Sequence, residues 1–423
     1  MSTEERQEEV APPIVVKGVE YRADKEWVRG THRAMDPKLT LDRIRPHLHK
    51  AGITRIADIT GLDTVGIPVV VAIRPASGSL AVEAGKGATL HAAATSACME
   101  AIERFVGEEA PTTDVVATPA AVRDRLAVPV DAFPVMRHAV IAEHRAHAFS
   151  AMTNLHDGSE LLAPRLLVAL PPEQPTMMAA PWAASSNGLA SGNHLPEALC
   201  AGLYEVVERD AVSSWDVAIA KGAMPLRVDL NTLEGEIICG IIEQVQRADA
   251  SVAILWNPND IGIPACTALV WSNQTGHGVY KGYGCHLDPE IAMIRAVTEA
   301  VQARTVFVAG ARDDLLRGSF EALKRSHVSS PDGTLAHAVS VNVNDIPNRS
   351  TGSFHGDVHV ILGELRRAGF DKVLARELDA SAFEVSVCRV IVPGLEPYRF
   401  PWIAVTNRAR TFVPPSLDEL TLT

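Results

Sequence analysis

The chain is organised around one stretch of sequence, Ser185-Ser-Asn-Gly-Leu-Ala-Ser-Gly-Asn-His-Leu-Pro-Glu-Ala-Leu-Cys-Ala-Gly-Leu-Tyr-Glu-Val-Val-Glu-Arg-Asp210. Its first part has the Gly/Asn/Ser composition of a loop that needs unusual dihedrals and free backbone N–H groups. Its second part is predicted to be a helix, because Pro196 suits a first helical turn and apolar residues then recur at helical spacing. Glu205 and Glu208 are three residues apart, so their carboxylates share one helix face. Such a pair repels unless a positive group lies between them, and a metal ion is one candidate.

The same pattern occurs three times along the chain. Gly87 precedes Glu100-Ala-Ile-Glu103-Arg104 by thirteen residues, and Gly192 precedes Glu205-Val-Val-Glu208-Arg209 by the same interval. A looser copy begins at Gly282-Tyr-Gly284 and reaches Glu299-Ala-Val-Gln302-Ala-Arg304. A single acid-x-x-acid-Arg pattern is typical of a solvated helix face. Three copies, each behind a glycine-containing loop, indicate a repeated core with a common site.

Composition excludes several classes of protein. The chain has 423 residues, 47% hydrophobic and 21% charged, which is ordinary for a soluble globular enzyme. A net charge of −12 argues against non-specific nucleic-acid binding, and no apolar run is long enough for a membrane span. The acidic N-terminus is unlike a signal peptide. Six cysteines without Cys-x-x-Cys spacing are typical of reduced core residues, so a cytoplasmic location is expected.

Strand and helix patterns are mixed along the chain without strict alternation, which favours an α+β fold with a duplicated helix/strand core. A short helix is predicted over 37–48 and an amphipathic helix over 357–369, while 320–350 has a loop-like, polar composition. Residues 1–15 are predicted to be disordered. The remainder, 16–423, is expected to form one domain, with a nucleotide-binding core at about 80–320 and a C-terminal α/β portion at about 350–405.

The acidic residues of the three repeats narrow the chemistry. There are six candidates, too many for the paired acids of a glycosidase: Glu100, Glu103, Glu197, Glu205, Glu208 and Glu299. Histidines and cysteines are too few and too scattered for a zinc site, whereas carboxylate oxygens suit Mg²⁺ bound together with substrate phosphates. Nearby basic residues could neutralise phosphate charge: Lys86, Arg104, Arg209, Arg295 and Arg304. The residues therefore indicate a non-Walker ATP–Mg²⁺ site and phosphoryl transfer.

Taken together, the motifs resemble those of the YcaO family over roughly residues 30 to 400. The resemblance is carried by Ile53-Thr-Arg-Ile-Ala-Asp-Ile-Thr-Gly-Leu-Asp-Thr-Val-Gly-Ile-Pro, Gly85-Lys-Gly-Ala, Ser96-Ala-Cys-Met-Glu-Ala-Ile-Glu-Arg, Ser186-Asn-Gly-Leu-Ala-Ser-Gly-Asn, Glu205-Val-Val-Glu-Arg-Asp, Glu299-Ala-Val-Gln-Ala-Arg and Ala311-Arg-Asp-Asp-Leu. It implies a YcaO-type fold around a nucleotide site. It also implies an ATP- and Mg²⁺-dependent enzyme that phosphorylates a peptide backbone amide, after which a nucleophile displaces phosphate.

The resemblance also implies roles for individual residues. Magnesium would be held by Glu100, Glu103, Glu205, Glu208 and Glu299, of which Glu205, Glu208 and Glu299 are also taken as catalytic. Nucleotide would be contacted by Asn193, Glu197, Arg209 and Arg295, with Lys86, Ser96, Gln302 and Arg304 in the same motifs. The implied partners are a precursor peptide and a TfuA-like or leader-binding protein. The resemblance leaves open whether the protein forms a homodimer.

The resemblance leaves the product open between several nucleophiles. We expect cyclodehydration of a peptide cysteine to thiazoline, because a thiol already tethered to the substrate has the advantage of proximity. The alternative is a thioamide from external sulfide, or an amidine from an amine. Many azoline-forming members end in a Pro-x-Pro-x-Pro tail, whereas this chain ends in Leu-Asp-Glu-Leu-Thr-Leu-Thr. The N-terminal stretch is also short for a fused leader-binding domain, so a stand-alone member of the bottromycin or TfuA-associated type is expected.

Two hypotheses from other classes remain. A non-catalytic accessory protein that retains the fold would be expected to have lost its acids, whereas all five metal candidates are present here. A metal-dependent hydrolase would bind metals without nucleotide. Measuring nucleotide affinity with and without Mg²⁺ separates the hydrolase from the ATP-dependent enzyme.

Overall fold

The computed structural model describes residues 11–137, 139–170, 181–273, 278–310, 312–315, 317–328, 335–397 and 400–415. Within these ranges the α-helices are α1 (Pro37–Ile44), α2 (Leu90–Glu109), α3 (Leu195–Ala220), α4 (Glu236–Arg247), α5 (Pro289–Ala309), α6 (Arg317–Val328), α7 (Phe354–Arg367) and α8 (Asn407–Thr411). The strands are β1 (Ile14–Val16), β2 (Val19–Tyr21), β3 (Arg55–Asp58), β4 (Val69–Ile73), β5 (Val82–Lys86), β6 (Val115–Ala117), β7 (His147–Asn154), β8 (Glu160–Pro164), β9 (Leu189–Gly192), β10 (Leu226–Val228), β11 (Ala250–Trp256), β12 (Ala265–Ser272), β13 (Val279–Cys285), β14 (Val339–Val341), β15 (Leu374–Leu378) and β16 (Ser386–Ile391).

Strands β1 and β2 form a small two-stranded sheet, and the other strands form three larger sheets. One has the order β3-β4-β5, the second β6-β7-β15-β16-β9 with β8 beside β7, and the third β13-β12-β11-β10-β14. Nearly all neighbours are antiparallel, and β10 with β14 forms a parallel pair. This arrangement confirms the predicted α+β class, since helices cover sheets without a strict βαβ alternation.

The three sequence repeats are three copies of one structural unit. In each copy an edge strand, namely β5, β9 or β13, leads through a two- or three-residue turn into a long helix, namely α2, α3 or α5. Each helix begins at a side-chain cap, in which Thr89, His194 or Asp288 accepts from a backbone N–H of the first turn. The repeated spacing therefore places the acids of all three helices at equivalent positions.

Glycine is required in these strands because the helix backbone lies directly against them. A Cβ on Gly85 would lie 2.1 Å from the Ala97 nitrogen of α2, and one on Gly282 would lie 2.2 Å from the Ala296 oxygen of α5. Both distances are far shorter than any real contact, so no side chain fits between strand and helix. The glycines preceding the acid motifs are thus a packing requirement, and they set how closely each helix approaches its sheet.

The hydrophobic core is divided among the sheets. One cluster packs α3 against α7 and strands β15 and β16, a second packs α4 and α5 against β10, β11 and β12, and a third packs α1 and α2 against β4. Helix α3 runs between the first two clusters and has a buried residue at nearly every turn on all sides. The acid motif of α3 is therefore carried on a helix that is buried along most of its length.

Two sequence predictions about order need correction. Ile14 is buried in β1 and belongs to the core cluster that α7 also joins, so the predicted disorder up to residue 15 extends too far; residues 1–10 lie outside the described part. The stretch 320–350, predicted as loop, contains most of helix α6 and strand β14. The low hydrophobicity of α6 masked its periodicity. The predicted helices at 37–48 and 357–369 are present, with bounds shifted to α1 and α7.

The cysteines are reduced, as predicted, and five of the six are buried. Among the helices of the described residues, none has the length and apolar character needed to cross a bilayer.

Candidate nucleotide and metal site

A cavity of about 1030 Å³ opens where the three strand–helix units meet. Its walls come from β5 and α2, from β9 and α3, from α5, and from α4 together with residues 27–33. Its wall combines apolar side chains with many charged ones. All five predicted metal-binding acids line it: Glu100, Glu103, Glu205, Glu208 and Glu299.

These acids come from three different helices yet face one space. Glu103 and Glu208 are buried, while Glu100, Glu205 and Glu299 are partly exposed to the cavity. Among the described basic groups that reach them, the Arg209 guanidinium is 3.7 Å from Glu205 and 3.5 Å from Glu208. The Lys86 ammonium binds the Glu299 carboxylate. The acids nevertheless outnumber the cations that touch them, so the cluster is suited to receive further positive charge.

The titration of the cluster follows from its burial. Burial and the neighbouring carboxylates raise the pKa of Glu205 to about 7, although Arg209 opposes the shift. Burial, together with Glu100 and Glu205, raises the pKa of Glu103 well above its usual range. Burial also raises the pKa of Glu208, with Glu299 adding to the shift. In Glu299 burial acts upward, but Lys86 and Arg209 outweigh it and the pKa lies below its usual value.

Asn193 and Glu197 form a rigid hydrogen-bonded pair at the start of α3. The Glu197 carboxylate accepts from both the backbone and the side-chain nitrogen of Asn193, at 3.0 and 2.9 Å. The Asn193 amide oxygen in turn accepts from Thr40, at 2.9 Å, and from Arg43. Arg33 lies 3.6 Å from the other Glu197 oxygen. The pair therefore ties α3 to the N-terminal segment and presents polar groups at the rim of the cavity.

Most of the other predicted nucleotide contacts also line the cavity. Lys86, Ser96, Arg209, Arg295 and Gln302 are among its walls, and Gln302 donates to the Ala84 carbonyl at 2.6 Å. That bond covers an outward-facing carbonyl on the edge of β5.

Arg304 was predicted to lie at the nucleotide site, but the structure places it elsewhere. It does not line the cavity; its guanidinium pairs with Asp63, both side chains being buried, and lies over the Tyr280 ring. Gln302 and Arg304 are two residues apart on α5, and such residues point to different sides of a helix. Only the first of them faces the cavity. Arg304 therefore joins α5 to the segment before β4.

Three residues of the site were missed by the sequence reasoning. Arg33 and Glu83 line the cavity, and Arg389 is fully buried behind it. Burial raises the pKa of Glu83 to about 8, with Arg104 acting against the shift from 3.0 Å. Burial lowers the pKa of Arg389 to about 10, with Glu205 and Glu103 opposing it. A lone acid within the apolar segment 81–85 was a usable signal for Glu83; nothing local marks the other two.

Arg389 holds the loop in front of β9. Its guanidinium donates to the backbone carbonyls of Val168, Asn187 and Ser185, at 3.0, 2.7 and 3.0 Å. The bonds to Asn187 and Ser185 fix the Ser/Asn/Gly loop that leads into α3, and the bond to Val168 ties it to the segment after β8. A buried positive charge behind Glu103 and Glu205 also lowers the cost of ionising them.

The residues present fit ATP with Mg²⁺. Carboxylate oxygens are the ligands that Mg²⁺ prefers, and five of them converge here. The Nε of Arg295 is buried and has no hydrogen-bond partner among the described residues, as expected for a donor that receives an anionic ligand. Lysine and arginine at the same wall can balance phosphate oxygens. The arrangement can hold a polyphosphate between acids that bind metal and bases that bind phosphate, which is the requirement for phosphoryl transfer.

Comparison with known proteins agrees with this assignment. The sequence model of the YcaO family, described as a YcaO cyclodehydratase that binds ATP and Mg²⁺, matches residues 84–396. A protein of Rhizobium leguminosarum bv. trifolii, described as an uncharacterized protein in the tfuA 3′ region, is 34% identical over 380 residues, covering 86% of this chain and 88% of that protein.

Two solved structures share the fold. A heterocyclase in complex with substrate and cofactor superposes with a TM-score of 0.74 at 21% identity, over 91% of this chain and 55% of the heterocyclase. YcaO from Methanopyrus kandleri, bound with AMPPCP and Mg²⁺, superposes with a TM-score of 0.68 at 24% identity, over 88% of this chain and 95% of that one.

Proposed function

The chain belongs to the YcaO family, an ATP- and Mg²⁺-binding family, and from that premise we propose that it uses ATP to phosphorylate a backbone amide oxygen of a peptide. The observation that carries the proposal is the convergence of five carboxylates and several cations on one cavity. A hydrolase that binds metal alone would have no use for Arg209, Arg295 and Lys86 placed among the acids. Their presence supports a polyphosphate as the group that is bound.

The described side chains divide the work between metal and phosphate. Glu100, Glu103, Glu205, Glu208 and Glu299 would hold Mg²⁺, which when bound neutralises phosphate charge and orients the γ-phosphate. Arg209 and Arg295 would contact phosphate oxygens, and Asn193 with Glu197 would orient the nucleoside end. Lys86 already binds Glu299 and would hold this carboxylate in its charged form at neutral pH.

The reaction has two balanced steps. The amide oxygen attacks the γ-phosphorus, ADP leaves, and loss of the amide N–H proton gives an O-phosphorylated imidate with an electrophilic carbon. A thiol or hydrosulfide then attacks this carbon, its proton passes to the nitrogen, and inorganic phosphate departs with the former amide oxygen. In the thiazoline the nitrogen loses this proton again as the C=N bond re-forms, whereas the thioamide keeps it. Enclosure of both steps in a cavity lined by fixed charges reduces the reorganisation that water would require.

The nucleophile comes from outside the cavity wall. None of the six cysteines lines the cavity, and burial raises the pKa of Cys98 to about 12. A thiolate on this chain is therefore disfavoured. We propose a cysteine of the peptide as the nucleophile, which gives a thiazoline with loss of water.

A second candidate is thioamide formation from external sulfide with a partner protein. The relative described by its position in a tfuA 3′ region favours it, since that relative is 34% identical to this chain over 380 residues. A TfuA-like partner would then deliver the sulfur. The two products differ only in where the nucleophile originates, so the same cavity supports both.

One experiment tests the function and separates the products. A library of synthetic cysteine-containing peptides is incubated with enzyme, ATP and Mg²⁺, with and without sulfide, and analysed by mass spectrometry. A product that has lost one water, abolished by Cys→Ala in the peptide and indifferent to sulfide, supports the thiazoline. A product that forms only with sulfide, and gains the mass difference between sulfur and oxygen, supports the thioamide. ATP turnover that no peptide changes, with or without sulfide, would contradict amide activation.

A further inference from the structure

The acid motif of α3 is followed directly by a fully buried carboxylate, Asp210. Arg408 of α8 binds it in a two-pronged ion pair, with Nε 2.7 Å from one carboxylate oxygen and the terminal nitrogen 2.8 Å from the other. The Glu396 backbone N–H donates to the same carboxylate at 2.8 Å. Arg408 also pairs with Asp260 at 2.6 Å. Fork-like pairs of this kind fix orientation as well as charge.

Besides this ion pair, α3 makes several contacts with the described residues of the C-terminal segment 396–412, which is described at 396–397 and 400–412. Ser213 donates to the Pro397 carbonyl at 3.0 Å, and the Trp215 and Phe412 rings lie 6.1 Å apart. Near the end of α3, Lys221 donates to the Arg410 carbonyl. Segment 396–412 thus contacts α3 from Asp210 to its C-terminal end.

Asp210 and the acid Glu208 lie on opposite sides of α3, so the ion pair can affect how the acids are placed. Asp210 is two positions after Glu208, which is a rotation of roughly 200° around an α-helix. Glu208 therefore faces the cavity while Asp210 faces the opposite side, where Arg408 holds it. The carboxylates of α2, α3 and α5 repel one another across the cavity. The Arg408–Asp210 ion pair on the opposite side of α3 holds the helix, and with it Glu205 and Glu208, in place against that repulsion.

We propose that Arg408 is a positioning residue, which through Asp210 sets the placement of Glu205 and Glu208 for metal-nucleotide binding. The proposal rests on the proposed function, because it assigns the acids to metal. It adds that segment 396–412, which lies outside every repeat and contributes no cavity wall, determines how well the acids bind. Partners that hydrogen-bond directly to a metal ligand typically change metal affinity by about 10–100-fold when removed. Arg408 acts one step further away, through Asp210 and the backbone of α3, so a smaller change is expected.

The test compares Arg408→Met and Arg408→Lys with Arg410→Met, an exposed arginine on the same short helix. The first readout is hydrogen exchange of residues 205–215 in the nucleotide-free protein. The second is the Mg²⁺ concentration that gives half-maximal binding of a fluorescent, non-hydrolysable ATP analogue. Both are measured well below the melting temperature of each variant. Asp210→Asn combined with Arg408→Met removes both charges together.

We expect Arg408→Met to speed exchange in 205–215 and to raise the half-maximal Mg²⁺ concentration several-fold, up to about 10-fold. Arg408→Lys keeps the charge but loses the fork, and should give an intermediate value. The double variant should recover part of the loss, because no buried carboxylate is left unpaired. Arg410→Met should stay within about twofold of the wild type.

Other results would overturn the proposal. If Arg408→Met melts earlier but retains wild-type exchange and Mg²⁺ dependence, the pair serves stability alone. The same holds if Arg410→Met has an equal effect. A wild-type protein that binds no nucleotide at any Mg²⁺ concentration would contradict the proposed function instead, and the exchange measurement would then decide on positioning by itself. If Arg408→Met fails to fold, Arg408→Lys carries the comparison, and wild-type values for it would contradict the role of the fork.

Discussion

Gly85→Ala is predicted to lower activity although Gly85 itself does not line the cavity. The new Cβ would lie 2.1 Å from the Ala97 nitrogen and 2.2 Å from the Ala93 oxygen, both on the backbone of α2. An ordinary contact begins at about 3.4 Å, so β5 and α2 must separate by roughly 1.3 Å. Neither partner is a flexible side chain that could move aside. The separation displaces Lys86 on β5 from Glu103 on α2.

The separation of β5 from α2 should lower both the stability and the turnover of the protein. Overpacking of this kind costs about 1–3 kcal/mol of unfolding free energy. A displacement of about 1 Å among reacting groups lowers turnover by about 10²-fold. Peptide-stimulated ATP turnover and thermal melting measure the two effects separately.

The matched control is Gly363→Ala on the exposed side of α7, where a Cβ meets nothing within 4 Å. That variant should gain up to about 1 kcal/mol of unfolding free energy and so have a slightly higher melting temperature, with unchanged turnover. If Gly85→Ala keeps wild-type turnover and melting temperature, strand–helix contact does not set the geometry of the site.

Three further predictions concern the acids and the N-terminus. Glu205→Gln and Glu208→Gln should each lower ATP turnover by about 10²-fold or more with the fold intact, because a negative ligand is lost. The nucleotide-free protein should lose stability as pH rises from about 5 to 8, since the raised pKa of Glu83 and of Glu205 makes the folded state bind more protons there; Glu83→Gln should flatten this fall. Deleting residues 1–10 should leave the melting temperature unchanged, whereas deleting 1–16 should lower it.

Each of these has its own check. Glu109→Gln, exposed at the end of α2, should retain wild-type turnover, and equal losses in it would point to a general charge effect. Circular dichroism melting across the pH series tests the second prediction, and a melting temperature that rises between pH 5 and 8 would contradict it. For the deletions, the reason is burial of Ile14 and Val16, each 3% exposed. Equal melting temperatures for both deletions would show that β1 adds nothing.

The repeats made much of this site predictable from sequence. Spacing alone placed Glu205 with Glu208 on one helix face and identified the equivalent Glu100 and Glu103, because helical periodicity is a local property. The convergence of α2, α3 and α5 on one cavity followed from the repetition of the motif. The glycines could be recognised as part of the motif. Only the structure shows why glycine is needed there, because the backbone of the next helix lies too close for a side chain.

What could not be predicted depends on contacts between distant parts of the chain. Arg304 looked like a site residue because of its motif, yet its partner Asp63 lies 241 positions away and turns it from the cavity. Arg389 and Arg408 act through long-range contacts that no local pattern marks. Helix α6 was missed because its sequence is polar, and propensity is a weak guide where packing decides.

The most direct test of amide phosphorylation follows the oxygen atom. A peptide that the mass-spectrometric screen shows to be modified is made with ¹⁸O at the reacting backbone carbonyl, and is then incubated with enzyme, ATP and Mg²⁺. Transfer of the amide oxygen to the γ-phosphorus predicts that one ¹⁸O appears in inorganic phosphate for each peptide modified, whether the product is a thiazoline or a thioamide. Inorganic phosphate without ¹⁸O, formed while the peptide is modified, would contradict activation of the amide by phosphorylation.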